Sequence, residues 1–330
     1  MLAVRGADYL AQSTLHALVA ALAVEALLRL WRVGAPLDRL AIRSLGLAQS
    51  LLVTPALCLL APGRGGDEFQ ARFGLLALRR WDELRPFGMG AAEAAVLAAA
   101  AVGLALFLMD LLPVLPVRRD RLPPAARAPE GLERALRAAF TNGDQRGGRG
   151  AFPPALHYLD AGAPALFCAG LRRPVVVVSR GAVELLDGEE LRAALGHELG
   201  HLARRDPARS WLLMAARALL CANPVAQVVA RALARDAEWL ADERAGGDRL
   251  ALASALLKLH RAGEGAPGPA RRTLPFAAAL SQPLRRVRSH DVAARCRRLL
   301  EPSPPTRVPF LPLRLLLALG SLAGLSFLVA

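Results

Sequence analysis

Four long apolar stretches limit what this chain can become more than any other feature. They run from about Leu10 to Trp31, Leu40 to Ala61, Ala91 to Leu115 and Pro309 to Ala330. A helix needs about 20 mostly apolar residues to cross the hydrocarbon core of a bilayer, and each stretch reaches that length. The whole chain of 330 residues is 54% hydrophobic with a mean hydropathy of +0.32, more apolar than a water-soluble domain. The expectation is a chain with three spans, then a water-facing region, then a fourth span. The first stretch has a long apolar core and no clean small-residue cleavage site before Trp31 and Arg32, so it reads as a retained anchor rather than a signal peptide. Two charges fall inside spans. Arg314 lies near an end and can snorkel, whereas Glu25 lies deeper and is expected to face other helices.

The formal net charge is +14, carried almost wholly by arginine, since Lys258 is the only lysine. No fingerprint of a nucleic-acid-binding module accompanies the charge, so basic flanks beside membrane helices explain it and no nucleic-acid partner is expected. Residues 118–150 hold eight arginines against four acids and have turn chemistry at both ends, which reads as a basic linker. The approach to the fourth span is also basic, with Arg285, Arg286, Arg288, Arg295, Arg297, Arg298 and Arg307 against Asp291 and Glu301. Basic loops stay in the cytoplasm, which predicts a cytoplasmic central domain with the N- and C-termini outside. The cysteines, Cys58, Cys168, Cys221 and Cys296, lie far apart with no CxxC, against a disulfide scaffold or a cysteine zinc site.

The predicted organisation is therefore 1–117 for three transmembrane helices, 118–150 for the linker, 151–307 for the water-facing domain and 308–330 for the fourth transmembrane helix. Phe69–Leu84 has apolar residues at helical spacing with arginines between them, which suits a helix lying on the membrane surface or a solvated loop helix. In the central domain, Ala165–Cys168 and Pro174–Ser179 read as strands, the second because of its run of valines. A helix is predicted from about Asp187 to Arg204, opened by the acids of LLDGEE.

That helix carries His197, Glu198 and His201 as H-E-x-x-H. Residues four apart share a helix face, so the two imidazoles can reach one cation. Zinc suits neutral nitrogen ligands in a tetrahedral set. Glu198 is placed to take a proton from a water at the open position and pass it to the leaving amine. Leu195, Leu199 and Leu202 give the helix a core-facing side, unlike a surface helix with two solvated histidines. A third ligand is expected on the later helical segment RDAEWLADERA, Arg235–Ala245. Glu238 is the chosen ligand. Asp242, one turn on, is expected to orient a ligand imidazole from behind. Asp236 and Glu243 are expected in solvent, and Asp206 is expected to order the end of the zinc helix. Ser210–Leu233 is apolar but interrupted by Arg217, Asn223 and Pro224. It suits two helices broken at Asn-Pro, with a membrane-embedded hairpin as the alternative.

The stretch PVVVVSRGAVELLDGEELRAALGHELGHLARRD, followed by Asn223-Pro224 and EWLAD, resembles the membrane metallopeptidases of the beta-lactam-sensing antirepressor type (BlaR/MecR). A related pattern occurs in HtpX-type membrane proteases. The resemblance implies a zincin-like α+β metallopeptidase domain with a small sheet in a mainly α, multi-span membrane protein of the bacterial inner membrane. It implies Zn2+ on His197, His201 and Glu238. Ser289–Leu300 resembles an altered form of the Ser/Thr-His-Pro…Arg segment of the HtpX group, through which His290 or Arg295 would stabilise the oxyanion; a basic membrane-proximal helix is the plainer alternative. The sensing members continue into an extracellular ligand-binding domain after the fourth span, where this chain ends, so beta-lactam sensing is not expected. The expected activity is a membrane-anchored zinc endopeptidase acting on a protein or peptide substrate, such as a transcriptional repressor or a membrane protein, bound as an added strand near Pro174–Ser179. The other class of function is a non-catalytic transducer or scaffold with structural zinc, which has no need of Glu198.

Overall fold

The computed structural model describes residues 2–61, 63, 91–111, 125–142, 154–169, 175–245, 248–265, 292–301 and 309–328. The expected surface helix at 69–84 and His290 lie outside these residues. The described chain is mainly helical with one small sheet. It divides into two compact units, the first comprising Met1–Met109, Ala215–Leu233 and Pro305–Ala330, the second Asp110–Met214 and Ala234–Pro304.

The first unit contains four helices long and apolar enough to cross a membrane: Tyr9–Leu30, Pro36–Leu57, Glu93–Leu111 and Leu311–Leu328. They lie within α1 (Leu2–Leu30), α2 (Pro36–Leu60), α3 (Ala91–Leu111) and α11 (Leu311–Leu328). Arg32 turns the chain after α1 with φ 49°, and Pro36 opens α2, where its missing N–H costs nothing. Glu25 faces another helix, as expected: Arg43 donates to it through Nε at 2.7 Å and Nη2 at 3.1 Å. Apolar packing of Ala20, Val24, Leu28, Ile42 and Leu322 joins α1, α2 and α11. Hydrogen bonds pin the same three helices. His16 contacts Thr54 Oγ1 and the Ser326 carbonyl, each at 3.2 Å, and Gln49 donates to the Leu322 carbonyl at 3.2 Å and to Ser326 Oγ. Arg314 lies over the Trp31 ring, 5.2 Å from its centroid.

The Asn-Pro break separates α7 (Asp206–Leu219) from α8 (Pro224–Arg244). Asn223 caps α8 by accepting from Ala226 N at 3.0 Å, while its amide donates to the Ser13 carbonyl at 3.1 Å. A Cβ on Gly103 would stand 2.7 Å from the Ala222 carbonyl carbon, so only glycine allows α3 to come this close. Arg231 donates to the Leu106 carbonyl at 3.1 Å.

The second unit is built on a three-stranded sheet of order β1-β3-β2. β1 (Ala155–Leu159) pairs parallel with β3 (Val175–Ser179), and β2 (Leu166–Ala169) pairs antiparallel with it. Two strands fall close to the expected Ala165–Cys168 and Pro174–Ser179, while β1 carries no such signal. β3 is central, so its ladder is filled on both sides. Val176 and Val178 face one core and Val177 the other. This corrects the expected docking of substrate at Pro174–Ser179, because a central strand has no edge to offer.

Within the expected linker, Glu130–Asn142 forms α4, and its Leu132, Leu136 and Ala139 join the core with Tyr158, Leu191 and Leu195. Ser179 caps α5 (Arg180–Leu185), accepting from Ala182 N. Asp187 opens α6 (Gly188–Ala203) with a capping box. Its carboxylate accepts from the amides of Glu189 and Glu190, and the Glu190 side chain accepts from the Asp187 amide. Glu190 also accepts from Ser254 and from Lys258 on α9 (Arg249–Gly265), tying α9 to α6. α10 (Val292–Leu300) packs on α9 through Leu299, Leu252 and Ala251.

Candidate metal centre

Two glycines let α6 and α8 touch at the backbone. An added Cβ on Gly196 would lie 2.0 Å from the Ala245 carbonyl oxygen, and one on Gly200 would lie 3.4 Å from that of Ala241. Each glycine directly precedes a histidine of the H-E-x-x-H run, so the close approach brings both imidazoles to the acidic face of α8. His197 Nε2 and His201 Nε2 are 3.1 Å apart. Glu238 Oε1 stands 3.3 Å from His201 Nε2, and Oε2 stands 3.5 Å from His197 Nε2. All three residues are buried.

Each imidazole is backed by a carboxylate. His197 Nδ1 donates to Asp242 Oδ1 at 2.9 Å; the sequence places Asp242 behind one of the imidazoles without choosing between them. His201 Nδ1 donates to Asp206 Oδ2 at 2.8 Å, which the sequence reading missed by giving Asp206 only a helix-end role. Such bonds fix the tautomer that turns the Nε2 lone pairs inward. Arg205, with φ 55°, reverses the chain after α6 and brings Asp206 back under His201. Arg204 Nη2 holds the other Asp206 oxygen at 3.2 Å. Asp236, expected in solvent, is fully buried, whereas Glu243 is exposed and accepts from Arg298 at 3.0 Å.

Glu198 lies beside the histidine pair, its Oε2 accepting from the Cys168 amide on β2 at 2.8 Å. β2 is an outer strand of the sheet, so that amide points off the ladder toward the site. Arg295, on α10, is buried here too: its Nε donates to Asp242 Oδ2 at 2.9 Å, and its Nη1 lies 3.0 Å from Glu238 Oε2.

Electrostatics follow from this crowding. Burial raises the Asp242 carboxyl, but the Arg295 guanidinium and His197 outweigh it and hold the group below its usual range. Burial lowers His197, but Asp242 and Glu238 outweigh it and raise the imidazole. Arg295 is raised further by Asp242 and Glu238 against the opposing effect of burial.

The donor set fits a zinc-sized cation. With bond lengths of about 2.0–2.1 Å, neighbouring ligand atoms around tetrahedral zinc lie ~3.3 Å apart, close to the spacings among these nitrogen and oxygen atoms. Glu198, Asp206, Glu238 and Asp242 are buried against the guanidiniums of Arg204 and Arg295.

Residues 160–279, which include both histidines and Glu238, match the family described as BlaR1 peptidase M56. Among curated proteins, the chain is similar to a protease HtpX homolog of Kineococcus radiotolerans, 31% identical over 201 residues, 48% of this chain and 66% of the relative. It is also similar to protease HtpX homologs of Methanopyrus kandleri, 30% identical over 33% of this chain and 44% of the relative, and of Thermodesulfovibrio yellowstonii, 29% identical over 34% and 54%. The chain thus spans between 44% and 66% of the length of these relatives. No solved structure was found to match it. The chain thus combines four helices long and apolar enough to cross a membrane with a region that matches the BlaR1 peptidase M56 family, and it is similar to HtpX protease homologs.

Proposed function

We propose that the chain is a zinc-dependent membrane endopeptidase of the gluzincin kind, with His197, His201 and Glu238 as metal ligands and Glu198 as general base. The observation that carries this is the meeting of two imidazole nitrogens and a carboxylate at 3.1–3.5 Å, each imidazole backed by its own carboxylate. Bound zinc would polarise the scissile carbonyl and acidify a water at the open position. Asp206 and Asp242 hold the imidazoles in their ligating orientation. The Cys168 amide fixes one oxygen of Glu198, leaving the carboxylate to take the proton from the attacking water and deliver it to the leaving amine. An extended peptide would add to the outer edge of β2, next to Glu198, and be oriented there by main-chain hydrogen bonds.

The proposed substrate is a cytoplasmic regulator or a membrane protein. The arginine-rich flanks support a cytoplasmic catalytic domain, with 151–307 as its extent between the spans. Glu198→Gln is expected to keep its zinc and lose about 10²–10⁴-fold in cleavage. Comparative proteomics of cells carrying wild-type or Glu198→Gln protein reads this directly. Uncut proteins should accumulate in the variant, and identical protein profiles with equal zinc content would remove the enzyme from consideration and leave a structural zinc scaffold.

A further inference from the structure

One guanidinium shares the Glu238 carboxylate with the two histidines. Arg295 meets two carboxylates one helical turn apart on α8. Its Nε donates to Asp242 Oδ2 at 2.9 Å and its Nη2 donates to Asp242 Oδ1, while its Nη1 reaches Glu238 Oε2 at 3.0 Å. Asp242 in turn accepts from His197. Glu238 turns Oε1 to His201 Nε2 at 3.3 Å, while Oε2, the oxygen that Arg295 holds, stands 3.5 Å from His197 Nε2. We propose that Arg295 is a positioning residue of the metal centre: it occupies Oε2 of Glu238 and clamps Asp242 onto His197, so that Glu238 binds the metal through Oε1 alone. This rests on the metal-ligand assignment made above and gives Arg295 a role other than oxyanion stabilisation.

The physical need is plain. Glu238 and Asp242 project from the same face of α8, and two buried carboxylates so close repel each other. A glutamate that is free to rotate can also bind a metal through both oxygens, filling the position a catalytic site keeps for water. A planar guanidinium answers both needs, because its donors point in fixed directions and can hold two acceptors at once. A lysine carries the charge but concentrates it at one point.

α10 is built to present this residue. One turn beyond Arg295, Arg298 lies over the Trp239 ring at 4.8 Å and donates to Glu243 at 3.0 Å. Arg249 on α9 donates to the carbonyls of Arg298 at 2.8 Å and Glu301 at 2.9 Å, fixing the end of the helix. Trp239 and Glu243 follow Glu238 and Asp242 directly on α8. The same helix therefore supplies the carboxylates and the anchor for the arginine that holds them.

Cobalt(II) in place of zinc gives a direct readout, since its visible d–d absorption differs between four and five coordination. The full-length protein in detergent is stripped of metal and titrated with cobalt alone. Wild type is expected to show intense four-coordinate bands. Arg295→Met is expected to lose band intensity as Glu238 closes on the metal with both oxygens. Arg295→Lys restores the charge without the fork, guards against misfolding of the methionine variant, and is expected to shift in the same direction. A wild-type spectrum in cobalt-loaded Arg295→Lys overturns the proposal, because charge alone would then suffice. An unchanged spectrum in Arg295→Met overturns it as well. Failure of wild type to take up cobalt would sink the metal-ligand assignment together with the proposal. Normal wild-type spectra without any proteolysis would sink the protease reading alone.

Discussion

The two compact units bury polar groups in opposite ways. In the first, polar groups meet in small local sets: His16 and Gln49 around Thr54, Leu322 and Ser326, Asn223 with Ser13, and Arg43 with Glu25. In the second, carboxylates, imidazoles and arginines converge on one point. Satisfied hydrogen bonds between membrane helices are worth only about 0.6 kcal/mol each on average. A buried charge stripped of its partner costs several kcal/mol. The polar contacts of the first unit therefore set how helices dock. Those of the second set what the site can hold, and a defect at one member spreads to the others.

The largest effect expected is from Gly196→Val. Its Cβ would stand 2.0 Å from the Ala245 carbonyl oxygen, and a backbone atom has no rotamer with which to give way. Overpacking of this kind costs about 1–3 kcal/mol and sometimes more. α6 and α8 must part, so stability and metal binding should fall together. Thermal unfolding combined with zinc analysis checks this. A variant with wild-type zinc content would mean that the close helix contact does not set the ligand geometry.

Asp206→Ala tests the contrast at one residue. Losing the carboxylate behind a ligand histidine lowers metal affinity by about 10–100-fold. Titration of the apo protein against a zinc-buffering chelator measures it. Affinity equal to wild type would leave Asp206 with the helix-end role that its sequence position suggests.

Features repeating along one helix were legible in the sequence, and features made by chain reversal were not. H-E-x-x-H and the Glu238–Asp242 pair follow from 3.6-residue periodicity, and the start of α6 follows from the Asp187 capping box. Asp206 escaped because its approach to His201 depends on left-handed Arg205, beyond the end of the helix. The place of β3 between β1 and β2 depends on strand order, which no local pattern encodes. α4 was hidden by its arginines and turn-rich flanks, although Leu132, Leu136 and Ala139 already had core spacing. Gly196 and Gly200 gave a readable signal that was passed over: a small residue before each histidine marks where another helix can approach.

The smallest effect expected is from Gln49→Ala, and it sharpens the comparison most. Gln49 donates to the Leu322 carbonyl at 3.2 Å and to Ser326 Oγ, joining α2 to α11. Both acceptors sit in helices, and the Leu322 carbonyl keeps its helical partner when the side chain is cut back. Loss of the contact should therefore lower stability by about 0.6 kcal/mol, measured by unfolding in mixed micelles. Zinc affinity should match wild type, because the proposed metal centre draws none of its ligands or their supports from α2. If Gln49→Ala instead weakened zinc binding as much as Asp206→Ala, the locally satisfied polar groups of the first unit would have to be counted as part of the metal centre's support, and the division between docking contacts and site contacts would fail.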